Sequence, residues 1–486
     1  MKTIQQLDEY TRHWFDIALQ WADKRWSEKY QLLQMPLDRK YSGKHEAPYI
    51  IRDSVWYAVG LLMRQQSDDI ERAVATIEAV LSYQFDEPSA VYHGTFYRHI
   101  SEAHPPPDNA VIWRHYDPNW REFICTVFIL LLKDYSRLLP DILQARMRHA
   151  INLAATGAFE RKVEAAYTNI ALMSAFLLDY AGREFGNIEW CDYALTQAQE
   201  IHRLFRRFNT FSEYNSPTYY GVDFFALALW REYGSTPIIR EMGASMEAEL
   251  WRDLVQFYHA DMRNICGPYD RSYGMNMTDY LALLGLWIGS VLPATHAPIP
   301  NVSQHFEHAA DFFFMPLVAL VGSRPPDDAI LHLKEFQGER VLERTIEQNR
   351  IVTAWLSASI MIGAESDLLN STRTEQFHPA TVHWITTDGS IGWLRTRCRG
   401  LIQALTQPYQ LQLSSQSTTT YVFEIYASEI STNQIQANHW HLPGISIHLK
   451  RPNTPLTVTL DDGALRVQFE SSEPITLIFS VATEAT

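Results

Sequence analysis

The chain has 486 residues, too many for one small hydrophobic core, and two domains are expected. Its 46% hydrophobic and 20% charged residues describe a soluble globular protein, and a net charge of −15 leaves no broad basic field for nucleic acid or an anionic membrane. No run approaches about 18 apolar residues, so no membrane span is expected, and the first ten residues lack the apolar stretch of a secretory signal.

Helical apolar spacing or buried helical runs recur from the start of the chain. They cover Leu7 to Tyr30, Ile50 to Arg64, Ile70 to Tyr83, Trp120 to Leu139 and Asn169 to Tyr180. They continue over Gly221 to Tyr233, Met246 to His259, Asp279 to Val291, Ala309 to Val321 and Glu339 to Ile362. From Thr381 the texture changes to short β-branched or alternating runs: Thr381 to Thr386, Ser390 to Arg397, Tyr421 to Ala427, Ile445 to Leu449 and Ile475 to Val481. Leu456 to Leu460, the Asp461-Asp462-Gly463 turn and Ala464 to Phe469 predict a hairpin. The expected organisation is a helical catalytic domain over 1–375 and an antiparallel β-sandwich over 376–486.

Polar, Pro- or Asn-bearing helix starts recur near Ala47-Pro48, Asp117-Pro118-Asn119, Thr168-Asn169, Asn215-Ser216-Pro217 and Asn276-Met277-Thr278. After the first interval they lie roughly 50 to 60 residues apart, the length of a helical hairpin with its loops. One start per hairpin places alternate helices in the same orientation. If the hairpins form an incomplete or closed barrel, an α/α toroid, those starts meet at one rim. An open solenoid would repeat more tightly.

Five segments near these starts carry chemistry. Trp113 to Glu122 includes His115, Asp117 and Trp120, and follows a long polar loop of the kind that forms a rim or lid. Tyr167-Thr168-Asn169 suggests a cap with an exposed amide. Phe211 to Asp223 crowds Glu213, Tyr214, Asn215, Tyr219 and Tyr220 around a helix entrance, with Ser216 as N-cap and Pro217 at the first helical position. Gly267 to Met277 frames Tyr269, Asp270, Arg271 and Tyr273 with Gly and Pro. Gln376 to Trp384, containing His378 and His383, joins the two domains.

The residues disfavour several chemistries. His378 and His383 have no acidic partner at metal spacing, and His305 and His308 have only Glu307, so no metal is expected. Neither a Gly-x-Ser-x-Gly elbow nor a phosphate-binding glycine pattern occurs, so no Ser nucleophile and no nucleotide cofactor is expected. Cys125, Cys191, Cys266 and Cys398 show no pairing pattern and read as free thiols of a cytoplasmic protein. Two reactions suit the rest. Proton abstraction beside a carboxylate, then elimination, would use Asn215, Arg271, Tyr273 and His115. Glycoside hydrolysis would use two of Glu213, Asp223, Asp270 and Asp117.

In the Asn-bearing motif at 213–220, the Arg-Tyr motif at 269–273, and His378-Pro379 to His383-Trp384, the chain resembles the toroid-plus-sandwich polysaccharide lyases: heparinase II/III, alginate lyase and chondroitin lyase. The resemblance covers the whole chain in architecture. It implies β-elimination of a uronate-containing saccharide. It further implies Asn215 as neutraliser of the uronate carboxylate, Tyr273 as the proton-transfer residue, Arg271 as its tuning cation, and Tyr219 or Tyr220 as alternatives for the proton. Asn215 is followed by Ser216 and not by the His common in such lyases. The catalytic set is thus Asn215, Tyr273, Arg271, His115 and Tyr219. The binding set is Glu213, Tyr214, Tyr220, Asp270, Tyr269, Asn169, Trp120, His378 and His383. The expected partner is a carbohydrate or other small anionic substrate, with the oligomeric state left open. A small-metabolite elimination or cyclisation and a non-catalytic carbohydrate binder are the other readings.

Overall fold

The structure, a computed structural model, describes residues 1–36, 47–367, 376–397 and 402–481, so Cys398 lies outside it. It divides into two compact units. The first contains Met1–Phe205, Tyr219–Ala248 and Asp279–Arg324; the second contains Arg206–Thr218, Glu249–Thr278 and Pro325–Thr486.

The first unit is helical: α1 (Glu9–Asp23), α2 (Arg52–Arg64), α3 (Asp69–Leu81), α4 (Trp120–Tyr135), α5 (Asp141–Arg161), α6 (Thr168–Glu184), α7 (Ile188–Phe208) and α8 (Tyr220–Tyr233). After these come α9 (Pro237–Phe257), whose last turns count with the second unit, α10 (Leu283–Gly289) and α11 (Met315–Val321). A small sheet of β1 (Trp26–Ser27), β2 (Leu32–Gln34) and β3 (Tyr49–Ile50) sits between α1 and α2 in the chain.

Two kinds of helix alternate. In α2, α4, α6 and α8 a continuous stretch is buried on every side: Asp53 to Met63, Trp120 to Leu132, Thr168 to Asp179 and Tyr220 to Trp230. A helix apolar all round needs neighbours all round. These helices supply them to one another, α2 against α4, α4 against α6, α6 against α8, α8 against α11, and α11 back against α2. The contacts close into a ring. By contrast α1 and α7 bury one stripe, for α7 Trp190, Ala194, Gln197, Ala198, Ile201 and Phe205, and sit outside it. At Gly60 the packing leaves no room for a side chain: a Cβ there would lie 2.7 Å from Leu19 and 3.0 Å from Pro316. Four of the five expected starts precede or open the ring helices α2, α4, α6 and α8, and the fifth precedes α10, which packs against α8.

The second unit holds the hairpin β4 (Tyr258–His259) and β5 (Asn264–Ile265), helix α12 (Asp327–Lys334), and two antiparallel sheets. The larger sheet draws on β6 (Arg340–Glu347), β7 (Arg350–Leu356), β8 (Ile360–Asp367), β9 (Ala380–Ile385) and β10 (Ile391–Thr396). It is completed by β13 (Thr419–Tyr426), β16 (Thr457–Asp461) and β17 (Ala464–Ser471), in the order β16-β17-β13-β10-β9-β8-β7-β6. The smaller sheet is β11 (Ile402–Gln407), β12 (Gln410–Ser415), β18 (Ile475–Val481), β15 (Ile445–Lys450) and β14 (His439–Leu442), in that order. One core of Trp355, Trp384, Leu413, Phe423, Trp440 and Leu477, among others, fills the space between the sheets. The fold is the expected helical toroid followed by an antiparallel sandwich. The predicted 456–469 hairpin forms, with Asp462 and Gly463 both at positive φ (47° and 76°), as a two-residue turn matched to strand twist requires.

One expected helix is overturned. Glu339 to Ile362 forms β6, β7 and the start of β8, with Gln348-Asn349 as the turn. Val341, Thr345, Ile351, Val352 and Thr353 are β-branched and β6 alternates in exposure, a strand pattern that its apolar content disguised. The sandwich therefore starts at Arg340 and not at the expected 375/376 join. Among the described residues no helix is long and apolar enough to cross a membrane.

Candidate functional site

Two polar segments far apart in sequence lie against each other in the second unit. Segment 213–216 docks on segment 266–271. The Asp270 N–H donates to the Tyr214 carbonyl at 3.1 Å, Ser216 Oγ donates to the Arg271 carbonyl at 2.6 Å, and Arg271 Nη1 meets Glu213 Oε1 at 2.7 Å. Arg271 Nε also donates to Gln376 Oε1 at 3.0 Å. The helix starts later than expected: α8 begins at Tyr220 with Tyr219 at its N-cap, and the Ser216 hydroxyl donates to the neighbouring segment.

Asn215 is 1% exposed and at φ 50°, a left-handed conformation that Asn tolerates better than most residues. Its amide donates both hydrogens to backbone, to the Cys266 carbonyl at 2.7 Å and the Pro268 carbonyl at 2.8 Å. No amide hydrogen is left for a substrate carboxylate, which corrects the expected neutraliser role to one of positioning. A second amide works the same way at the far end of the loop: Asn264 Nδ2 donates to the Met275 carbonyl at 2.9 Å. Between these pins Tyr273 is 39% exposed.

Behind the segments lies a buried arginine from the sheet. Arg350, 2% exposed, makes a two-pronged contact with Glu365 (Nε to Oε1 2.7 Å, Nη2 to Oε2 3.1 Å). It also reaches Asp270 Oδ1 at 3.4 Å and the Ser212 carbonyl at 3.0 Å. One guanidinium thus ties the sheet to the flanks of both segments. Nearby, Asp253 pairs with Arg344 at 2.8 Å, and burial, which outweighs that pairing, pushes its carboxyl up to about 6.

Several expected binding residues are structural. Tyr269 is fully buried, with its hydroxyl on the Ile265 carbonyl and its backbone bridged to His378 (His378 N–H to Tyr269 carbonyl, 2.9 Å). His378 is 1% exposed; burial first, then Arg395 and Arg397, hold its pKa well below the usual range, so it is neutral. His383 is also buried, its Nε2 donates to the Met275 carbonyl at 2.8 Å, and burial lowers its pKa to about 4. Tyr214 is 1% exposed and stands edge-on to Phe257. None of these four presents a side chain to a substrate as placed.

His115, Trp120, Asn169, Tyr219 and Tyr220 belong to the first unit. His115 Nδ1 accepts the Val111 N–H at 2.9 Å, which fixes the proton of the neutral ring on Nε2. Trp120 is 8% exposed, with the Arg52 guanidinium 5.3 Å from its ring centre. Tyr219 flanks α8 without capping it, and Tyr220 is buried. Asn169, expected to be exposed, is buried at the start of α6, and its Oδ1 has no hydrogen-bond partner. The same unit buries two carboxyls that were not anticipated. Burial raises Glu122, against Arg161 and Arg121, to about 7, and raises Asp311, against Arg52, to about 7. Among the described residues no three His, Cys, Asp or Glu side chains converge as a metal site.

A family model for a domain of unknown function, DUF8769, matches residues 12–323. The chain belongs to the DUF8769 family. A second domain of unknown function, DUF8770, matches residues 338–464, the region where the sandwich begins. No curated protein matches the chain. Among solved structures it is similar to endoglucanase CelQ from Clostridium thermocellum complexed with cellotetraose, at 10% identity over 98% of this chain and 93% of that one, with a TM-score of 0.30. It is similar also to a heparinase III, at 9% identity over 99% of this chain and 85% of that one, with a TM-score of 0.32. At such values neither likeness carries an argument about chemistry.

Reasoning from sequence missed Arg350, Glu365, Gln376 and Glu122. Arg350 sat inside the stretch misread as helix. Glu122 was named only as the end of a motif, and nothing in its neighbours signals that both its oxygens are buried without a hydrogen-bond partner.

Proposed function

We propose that the protein is a carbohydrate-processing enzyme that cleaves a uronate-containing oligo- or polysaccharide by β-elimination, with Tyr273 as the proton-transfer residue. The observation that carries the reading is the Tyr273 loop: an exposed phenol on a backbone pinned at Cys266 and Pro268 by Asn215 and at Met275 by Asn264. Pinning of this kind sets a reactive group before substrate arrives. Two residues along, Arg271 is held by Glu213 and Gln376 and is the cation assigned to the uronate carboxylate. In the reaction the Tyr273 phenolate removes the proton at C5, the electron pair forms the C4–C5 double bond, and the C4–O bond breaks. The departing oxygen takes up a proton. Arg271 offsets the negative charge that grows on the carboxylate in the transition state. Glu213 and Asp270, two of the four carboxylates considered for hydrolysis alongside Asp223 and Asp117, are each engaged by an arginine, which favours elimination as the better reading.

The test is incubation with polyuronates, watching for the ultraviolet-absorbing 4,5-unsaturated product. Tyr273→Phe should abolish its formation while leaving the thermal unfolding curve in place. New reducing ends without the chromophore would replace this reading with hydrolysis. Full activity in the Phe variant would remove Tyr273 from the mechanism.

A further inference from the structure

The loop that carries Tyr273 lies on the outer face of the larger sheet, over β8 and β9. The Gly267 N–H donates to Thr381 Oγ1 at 3.2 Å, and His383 Nε2 donates to the Met275 carbonyl at 2.8 Å. Register carries the same face onward. Thr381 and His383 stand opposite Arg395 and Trp393 on β10, these stand opposite Glu424 and Tyr426 on β13, and Glu424 stands opposite Arg466 on β17. Leu394, Ile425 and Leu465 belong to the core, so these neighbours point away from it. The Trp393 and Tyr426 rings are stacked, 5.6 Å between centroids at 19°, and Tyr426 is 38% exposed. Glu424 is shared by Arg395 Nη2 at 2.6 Å, Arg397 Nε at 3.1 Å and Arg466 Nη1 at 3.7 Å. Among the described residues none of the three arginines pairs with another carboxylate, so three guanidiniums against one carboxylate leave positive charge in excess. Asp461 and Glu470 share the face but pair in register with Ala464 and Thr420, outside the cluster. The Arg397 and Arg466 side chains are 39% and 45% exposed.

We propose that Trp393, Tyr426, Arg397 and Arg466 form an accessory binding site for a length of acidic polysaccharide, which runs from the Tyr273 loop across β10 and β13 to β17. The proposal takes its sugar, a polyuronate, from the elimination reading. The C–H face of a pyranose ring packs on an aromatic surface such as the Trp393–Tyr426 pair. Carboxylates recurring along the polymer then meet the guanidinium donors that a single glutamate leaves in excess. With strands about 4.8 Å apart, the path from β9 to β17 is about 14 Å long. The cluster is a local exception on a chain of net charge −15, which supplies no broad basic field for duplex nucleic acid or an anionic membrane. Single-stranded nucleic acid also stacks on aromatic rings and meets arginines. The position of the cluster, two strands from a loop assigned to sugar chemistry, favours the saccharide.

Calorimetric titration of the full chain carrying Tyr273→Phe separates binding from turnover. Polymannuronate or polygalacturonate should bind, more weakly as salt rises, and neutral dextran should not. Added to that chain, Arg397→Ala, Arg466→Ala and Tyr426→Ala should each weaken polyuronate binding about tenfold, the worth of one charge-assisted contact. Their side chains lie at the surface, so each should keep the Tm of the chain without it. With Tyr273 intact, the same three changes should raise KM for the polymer and leave kcat in place. No polyuronate binding, or binding that all three variants leave unchanged, would overturn the site. Tighter binding of a single-stranded oligonucleotide, lost in the same variants, would replace the saccharide as occupant. Variant-sensitive binding without any unsaturated product from the parent would uphold the site and remove elimination alone. Unsaturated product with a KM that the variants do not move would do the reverse.

Discussion

Asn215 and Pro268 stand 2.8 Å apart, side-chain amide to backbone carbonyl, and with the 2.7 Å bond to Cys266 this spends the whole donor capacity of the amide. The residue that seemed placed to meet a carboxylate instead holds the loop that carries Tyr273 and Arg271. Asn215→Ala leaves two buried carbonyls without donors. It should cost about 2 to 4 kcal/mol, read as a lower midpoint in chemical denaturation, and any elimination activity should fall with it. Asn215→Asp should be worse than Ala, since a carboxylate would then face the same two carbonyls. A variant with unchanged stability would show that the loop holds its shape without the amide.

Arg350 and Glu365 test a different kind of support. Both are nearly excluded from water, at 2% and 1% exposure. Arg350→Met strands the Glu365 charge and should cost about 3 to 5 kcal/mol. The double variant Arg350→Met, Glu365→Met should cost less than the sum of the single changes, because the Glu365 charge leaves together with its partner. Strict additivity in a double-mutant cycle would mean that the two side chains do not act as a pair.

Gly363 on β8 has no room for a side chain. A Cβ there would fall 1.7 Å from the Gly267 carbonyl oxygen and 2.2 Å from its carbon. Gly363→Ala must push the site loop off the sheet, at a cost of about 3 kcal/mol by analogy with overpacked cores. Thermal unfolding reads the stability loss. Elimination activity should fall in parallel, since the displaced loop leads to Pro268 and Tyr273.

Glu122 gives the chain a pH dependence of defined sign. Its folded pKa of about 7 lies above the ordinary carboxylate value of 4.5, because burial outweighs the pull of Arg161 and Arg121, with Asp117 and Cys125 the other titratable neighbours. The folded state therefore holds a proton that the unfolded state releases. The stability tied to this proton is full below about pH 4.5, falls as pH rises, and is gone above about 7, a loss of about 3 kcal/mol at most. Glu122→Gln should flatten that fall and unfold at higher denaturant than the parent at pH 8. Parallel stability–pH curves for parent and variant would show that Glu122 is solvated.

The inner ring was legible because its helices combine two signals: a Pro or Asn start and a stretch apolar on every face, as in Phe123 to Leu132. The outer helices α5 and α7 carry one apolar stripe among many charges, and no expected element corresponds to them. Strands β6 and β7 were lost because Gln348-Asn349 lacks the glycine that usually marks a hairpin, so the run read as one helix. In the sequence, the density of Tyr, Asp and Arg around Gly267 and Pro268 marked the loop on which the proposed site rests. What a side chain does there depends on a partner tens of residues away. Arg271 finds Glu213 and Gln376, Asn215 finds backbone, and Tyr269 and His378 turn inward; no local pattern encodes those choices.

The ring also imposes an order on synthesis. Its closing contact joins α11 to α2, and Lys2 Nζ, at the very start of the chain, donates to the Ala319 carbonyl at 2.7 Å across 317 positions. A ribosome must therefore deliver every residue between α2 and α11 before the first inner helix meets its last neighbour. Until then that helix has an apolar flank without cover, the kind of surface on which nascent-chain chaperones act.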